Sequence, residues 1–185
     1  YGMQLMTIEY ARNVLGLEGA HTAEIDPKAP HLIIDIMPDQ KLKLLEKDYG
    51  GSMRLGSYTA KIKKGSIAFE AYGKGSISDR HRHRYEVNPE YINKLVDAGL
   101  VFSGTSPDLH LMEIAELPRS VHPFFLGTQF HPEFLARPLR PHPLFTEFIK
   151  QLSKASTHIA FDLNTLSDSL TSSELPFNKI ICGLR

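Results

Sequence analysis

The sequence predicts an α/β domain in which helices interleave with a sheet of short buried strands. Two observations carry that class. Apolar residues recur at helical spacing near residue 1 and again near residue 150, and the stretches between them hold apolar runs too short for helices and closed by glycine or proline. A third observation bounds it: 185 residues at 42% apolar composition suffice for one domain with its own core, and no second full domain is expected.

In chain order, residues 3–15 place Met3, Leu5, Met6, Ile8, Ala11, Val14 and Leu15 at largely helical spacing, with Gly16 as the C-cap. The run HLIIDIM, 31–37, is closed by Pro38 and predicts a buried strand. GGSMRLGSY, 50–58, sets three glycines around Arg54 and predicts a mobile loop, a candidate lid, feeding a strand toward Ile62. DRHRHRYEVN, 79–88, alternates as an extended segment does, and Pro89 then opens a helix with Gly99 near its end. LVFSGT, LHLMEIAEL and FFLGTQF predict three strands, and HPLFTEFIKQL, 142–152, a closing helix. Residues 153–175 are rich in serine and threonine and predict a surface tail. The domain is thus expected over 1–152, with 153–185 as a C-terminal extension.

Lysine plus arginine balance aspartate plus glutamate at 21 each, so no global field draws the chain to nucleic acid or anionic lipid. The single cysteine, Cys182, excludes an internal disulfide framework and a cysteine-rich zinc site, and fits a reducing, cytoplasmic compartment. No apolar run approaches the roughly 20 residues of a membrane span, and no signal peptide is visible. The expectation is a soluble chain without membrane or nucleic-acid partners.

The chemistry concentrates in TQFHPEF, 128–134. A histidine moves protons near neutral pH, and a carboxylate on its far nitrogen fixes the tautomer and stabilises the imidazolium. His131 and Glu133 are placed to form such a pair; the plain alternative is a turn that ends a strand. No metal is expected, since His122 and His142 show none of the usual zinc spacings. The first helix begins without an entry strand or cap ahead of it, as it would just past a nucleophile elbow, where backbone amides and a helix N-terminus favour a thiolate. Arg80, Arg82 and Arg84 read as a charged strand face or a phosphate-binding patch, His81 and His83 as structural residues of the opposite face, and Glu24 as a solvated loop carboxylate.

Tyr1-Gly2-Met3-Gln4 resembles the end of the Gly-x-Cys-x-Gly-x-Gln elbow of class I glutamine amidotransferases, and His131-Pro132-Glu133 resembles their His-x-Glu. GGSMRLG, RHRHRYEVN and FHPEFLARPLRPHPLFTEFIK extend the likeness, in order, over roughly residues 1–152. The resemblance implies a flavodoxin-like α/β sheet with helices on both faces. It also implies a cysteine nucleophile immediately before Tyr1, with His131 as proton shuttle and Glu133 orienting it. L-glutamine would be held by Tyr1, Gly2, Met3 and Gln4 beside the elbow, with Arg84 for its α-carboxylate and Glu24 for its α-ammonium, as the charges of the ligand demand. No cofactor is implied within the domain. The branch it is similar to passes ammonia to an N-terminal synthase domain of the same polypeptide, which uses ATP and magnesium to aminate UTP to CTP. That branch is activated by GTP, linked to the Arg54 segment, and assembles as a homotetramer. Cys182, after two isoleucines, is expected to be an inert apolar thiol. A non-catalytic glutamine-binding module, the glutaminase of another class I amidotransferase, and a γ-glutamyl hydrolase remain alternatives.

Overall fold

The computed structural model describes residues 1–36 and 54–154. The first element is helix α1, Gly2–Asn13, which buries Met3, Gln4, Thr7, Ile8 and Ala11. These positions repeat at three to four residues and so form one face. The helix ends before Gly16, whose φ of 67° is the left-handed value that glycine adopts without a Cβ penalty.

Two sheets follow. In the smaller, β1 (Ala20–Thr22) runs parallel to β2 (His31–Ile36), and β5 (Tyr85–Val87) joins β2 antiparallel. The larger has the order β4-β3-β6-β7-β8 and is antiparallel throughout, with β3 at Arg54–Ile62, β4 at Ser76–His83, β6 at Val101–Thr105, β7 at Met112–Glu116 and β8 at Leu126–Thr128. The connections 106–111 and 117–125 join β6 to β7 and β7 to β8 without an intervening helix or strand, and antiparallel pairing needs no longer crossover. The chain changes sheets at Arg84, between β4 and β5.

Helix α2, Ile67–Tyr72, is capped by the Ser66 hydroxyl, which accepts from the Phe69 amide. The Glu116 carboxylate accepts from the next free donors, the Ile67 and Ala68 amides, at 2.7 and 3.2 Å. Helix α3, Pro89–Asp97, starts at Pro89 with the Asn88 side chain accepting from the Glu90 amide. A last helix, α4, covers residues 143–154. One compact unit spans Tyr1–Glu147, and a second unit begins at Phe148.

The core of the first unit has two parts. Met3, Ile8 and Ala11 of α1 pack with Ile33, Ile34, Val87 and Leu95, while Ile62, Ile77, Ile114, Phe130 and Leu144 cluster beneath α2. Gly127 on β8 sets how close α1 comes, since a Cβ there would stand 2.9 Å from the Met3 Cα.

Several elements depart from the sequence reading. Arg54–Tyr58 is the start of a nine-residue strand, not a loop, because successive residues pair along β4 from Arg54–His83 to Lys61–Ser76. Helix α2 and strand β1 carry no signal long enough to read, at six and three residues. The strand expected at 31–37 is present as His31–Ile36, and Met37 lies outside the described residues. Pro38, the glycines at 50 and 51, the tail from 155 and Cys182 lie outside the described residues.

Candidate active site

Residues 129–131 leave β8 and cross to β4. The Gln129 amide donates to the Glu113 carbonyl at 2.9 Å, and the His131 amide to the Arg80 carbonyl at 2.8 Å. Phe130 between them is buried and anchors the crossing. A 3-10 turn, Pro132–Phe134, then folds the chain back, with the Phe134 amide donating to the His131 carbonyl. That turn brings Glu133 Oε1 to 2.8 Å from His131 Nδ1. Nε2 is therefore the ring nitrogen left for a reacting group. Partial burial acts to raise the Glu133 pKa, but a backbone hydrogen bond and the His131 ring outweigh it and hold the carboxyl below its ordinary range.

The residues expected around the α-amino and α-carboxylate groups of a ligand gather at the start of α1. The exposed Tyr1 hydroxyl donates to Glu24, which raises the phenol pKa, with a smaller contribution from desolvation. Glu24 stands just past β1, its amide donating to Thr22 Oγ1. Tyr85 feels desolvation first, then the negative charge of Glu24, opposed by the positive charge of Arg84. Arg84 has a buried Nε with no partner, an orphaned donor of the kind a carboxylate would satisfy. Gln4 of the first turn of α1 lies 3.4 Å from Gln129, two residues before His131, so the histidine pair and the start of α1 share one neighbourhood.

Two further predicted residues are buried. Gln4 is buried, and its amide nitrogen donates to the Tyr85 carbonyl at 3.1 Å and to Gln129 Oε1 at 3.4 Å. Its amide nitrogen braces α1 from within, while its buried Oε1 has no partner among the described residues. Arg54 is also buried and donates from Nη1 to Glu86 Oε1 at 3.1 Å and from Nη2 to Glu113 Oε1 at 2.9 Å, with its guanidinium 4.5 Å from the Tyr58 ring centroid. Arg54 thus lies on a strand rather than in the loop expected from its flanking glycines.

The sequence reading missed the buried polar group around Arg54. Glu86, Glu113 and Gln129 belong to it, and His81 and His83 adjoin it, their Nδ1 and Nε2 atoms 2.8 Å apart. Burial, then the Arg54 charge, depresses both imidazoles, His81 to about 3 and His83 to about 4, so both are neutral near pH 7. Burial and the Glu113 charge raise Glu86 to about 7. His81, His83 and Glu113 bring three ligand-type atoms within 4.8 Å of one another, but the guanidinium bonded to Glu113 places a positive charge where a cation would have to sit. The available signal was Glu113 itself, a charged residue inside an apolar run whose five strand residues are all buried.

The family profile of class I glutamine amidotransferases matches residues 1–151, and the chain belongs to that family. Among individual proteins it is similar to the CTP synthase of Staphylococcus carnosus (strain TM300), 54% identical over 153 residues covering 83% of this chain and 28% of the relative. The CTP synthase of Halalkalibacterium halodurans is 57% identical over 149 residues, 80% of this chain and 27% of the relative. The chain thus spans little more than a quarter of the length of these curated relatives. A solved structure, the glutaminase domain of Trypanosoma brucei CTPS with bound acivicin, superimposes with a TM-score of 0.74 at 34% identity, covering 83% of this chain and 58% of that one.

Proposed function

We propose that this chain is the glutaminase part of a CTP synthase, hydrolysing L-glutamine to glutamate and ammonia. The observation that carries the reading is the His131–Glu133 pair at 2.8 Å, in the neighbourhood of the start of α1 and of Arg84 and Glu24. A cysteine at the position before Tyr1 is the nucleophile. Its thiolate attacks the side-chain amide carbon, the C–N bond breaks, and the nitrogen leaves as ammonia with a proton delivered through His131 Nε2. Water, losing its proton to the same nitrogen, then attacks the thioester carbon and releases glutamate and the thiol. Glu133 stabilises the imidazolium in both halves. Arg84 takes the α-carboxylate and Glu24 the α-ammonium, while Tyr1, Gly2 and Met3 border the ligand through backbone at the elbow.

In the whole protein, the ammonia aminates UTP to CTP in a synthase domain of the same polypeptide that brings ATP and magnesium. GTP activation, tetrameric assembly and a cytoplasmic location belong to the same proposal. Among the described residues no helix is long and apolar enough to cross a membrane. The test is mass spectrometry of the full-length protein after treatment with an electrophilic glutamine analogue. The adduct is expected on the residue before Tyr1; an adduct on Cys182, or none alongside absent glutamate release, overturns the reading.

A further inference from the structure

The two halves of the proposed site come from opposite ends of the domain, and one buried polar chain joins them. Gln4, in the first turn of α1, and Gln129, two residues before His131, are 125 positions apart in sequence and meet through Nε2 and Oε1 at 3.4 Å. Both amide groups donate to the same acceptor, the Tyr85 carbonyl, at 3.1 and 3.2 Å. The Gln129 amide group also donates to Glu86 Oε2 at 2.9 Å, and Glu86 Oε1 is held by Arg54. Since the Gln129 backbone amide is fixed on Glu113, whose carboxylate is the other partner of Arg54, both the backbone and the side chain of Gln129 are pinned.

Gln4, Gln129, Glu86, Arg54 and Glu113 are buried, and Tyr85 is half-buried. Buried polar networks are poor sources of net stability, because apolar residues of equal volume do as well, but their directional bonds admit few arrangements. We propose that Gln129 and Glu86 are positioning residues that fix the separation between the nucleophile-bearing start of α1 and His131. The proposal rests on the glutaminase reading for its consequence, since a displacement of about 1 Å between reacting groups costs on the order of a hundredfold in rate.

The test uses the full-length protein. Gln129→Glu sets two carboxylates together, and Gln129→Met removes both hydrogen-bonding ends without adding charge. Each is expected to lower kcat for glutamine hydrolysis by about tenfold or more with KM changed by less than about threefold, and to spare CTP formation from free ammonia. The double exchange Gln129→Glu with Glu86→Gln restores a donor opposite an acceptor and keeps an acceptor toward Arg54, leaves the Tyr85 carbonyl to Gln4 alone, and is expected to recover part of the loss. A residue that only supports the fold would lower kcat only in step with the loss of folded protein seen by urea unfolding, and would not be rescued by the exchange. Wild-type kcat in Gln129→Met, or a double variant no better than Gln129→Glu, overturns the proposal. Crystal structures of the same variants read it without activity: the distance from the His131 ring to the first turn of α1 is expected to change in the single variants and to return in the double, and an unchanged distance overturns it. Absence of glutamate release by the wild-type protein would remove the glutaminase reading alone, leaving the crystallographic comparison to decide the positioning.

Discussion

Glu133 holds His131 through a single contact, Oε1 to Nδ1 at 2.8 Å, made possible by the 3-10 turn at Pro132–Phe134 that folds the carboxylate back on a residue two positions earlier. The pair is asymmetric in exposure, with the Glu133 side chain 57% and the His131 side chain 33% exposed. Water therefore screens the carboxylate, and the imidazole is the more sensitive partner.

Replacing each member separates these roles. His131→Ala is expected to lower glutamine-dependent product formation by about 10² to 10⁴, the usual contribution of a general acid–base, and Glu133→Ala by a smaller factor. Glu133→Gln keeps the acceptor but loses the charge, and is expected to fall between wild type and Glu133→Ala. Steady-state rates with glutamine and with free ammonia check this: equal losses with both nitrogen donors would exclude a role in the glutaminase half.

Arg84 sits where the chain passes from one sheet to the other, and its buried Nε lacks a partner. A charge-assisted bond to a ligand carboxylate contributes about 1.5–3 kcal/mol, so Arg84→Ala is expected to raise the apparent KM for glutamine by roughly tenfold or more. Arg84→Lys should recover little, since an ammonium lacks the planar fork. A KM unchanged in Arg84→Ala, with only a nucleotide response altered, would move this residue out of the substrate pocket.

How much of this was legible in the sequence depends on length and on partners. The helices at 2–13 and 89–97 and the strands at β2, β6, β7 and β8 were readable because each buries a face whose period survives in the sequence. Helix α2 was not, because its stability comes from Ser66 and from the Glu116 carboxylate 49 positions away. In the candidate site, His131 and Glu133 were legible as neighbours in sequence, whereas Glu24 and Arg84 were singled out only by the family resemblance. Arg54 was misread as a loop residue because flanking glycines signal flexibility, whereas its pairing partners Glu86 and Glu113 lie 32 and 59 positions on. Gln129 was visible in the stretch TQFHPEF but had no readable function until Gln4, Tyr85 and Glu86 were seen around it.

Gly127 offers a test of the packing that presents the elbow. A methyl group there would meet Met3 Cα at 2.9 Å and Met3 Cβ at 3.1 Å, and backbone yields less than a side-chain tip. Gly127→Ala is expected to cost about 1–3 kcal/mol in stability through overpacking, and to lower glutaminase activity more than ammonia-dependent synthesis, because α1 must shift. Urea unfolding together with the two activities would show it, and a variant of wild-type stability and activity would mean that α1 does not lie so close to β8.

The buried carboxylate beside Gln129 makes a prediction about pH. Burial and the neighbouring Glu113 charge raise Glu86 from the ordinary carboxyl value of 4.5 to about 7, so the folded chain holds a proton there that the unfolded chain releases. Its contribution to stability is fully present below about 4.5 and is lost as pH rises toward 7. His81 and His83 act in the opposite sense: depressed from 6.5, they favour the folded state above 6.5, and that support is lost as pH falls toward their folded values of about 3 and about 4. The two effects overlap between about pH 4.5 and 6.5 and partly cancel in the wild type. Glu86→Gln removes only the carboxylate's part. The difference in unfolding free energy between variant and wild type is therefore expected to move by about 1.4 kcal/mol per pH unit across roughly pH 5 to 7, in the variant's favour as pH rises. Loss of the Arg54 contact adds an offset that does not vary with pH in this range, because the guanidinium stays charged throughout. Urea unfolding of wild type and Glu86→Gln at three pH values across that window measures the slope directly. A difference that stayed constant with pH would show that Glu86 is ionised throughout and that the Arg54 and Gln129 bonds fully compensate its burial.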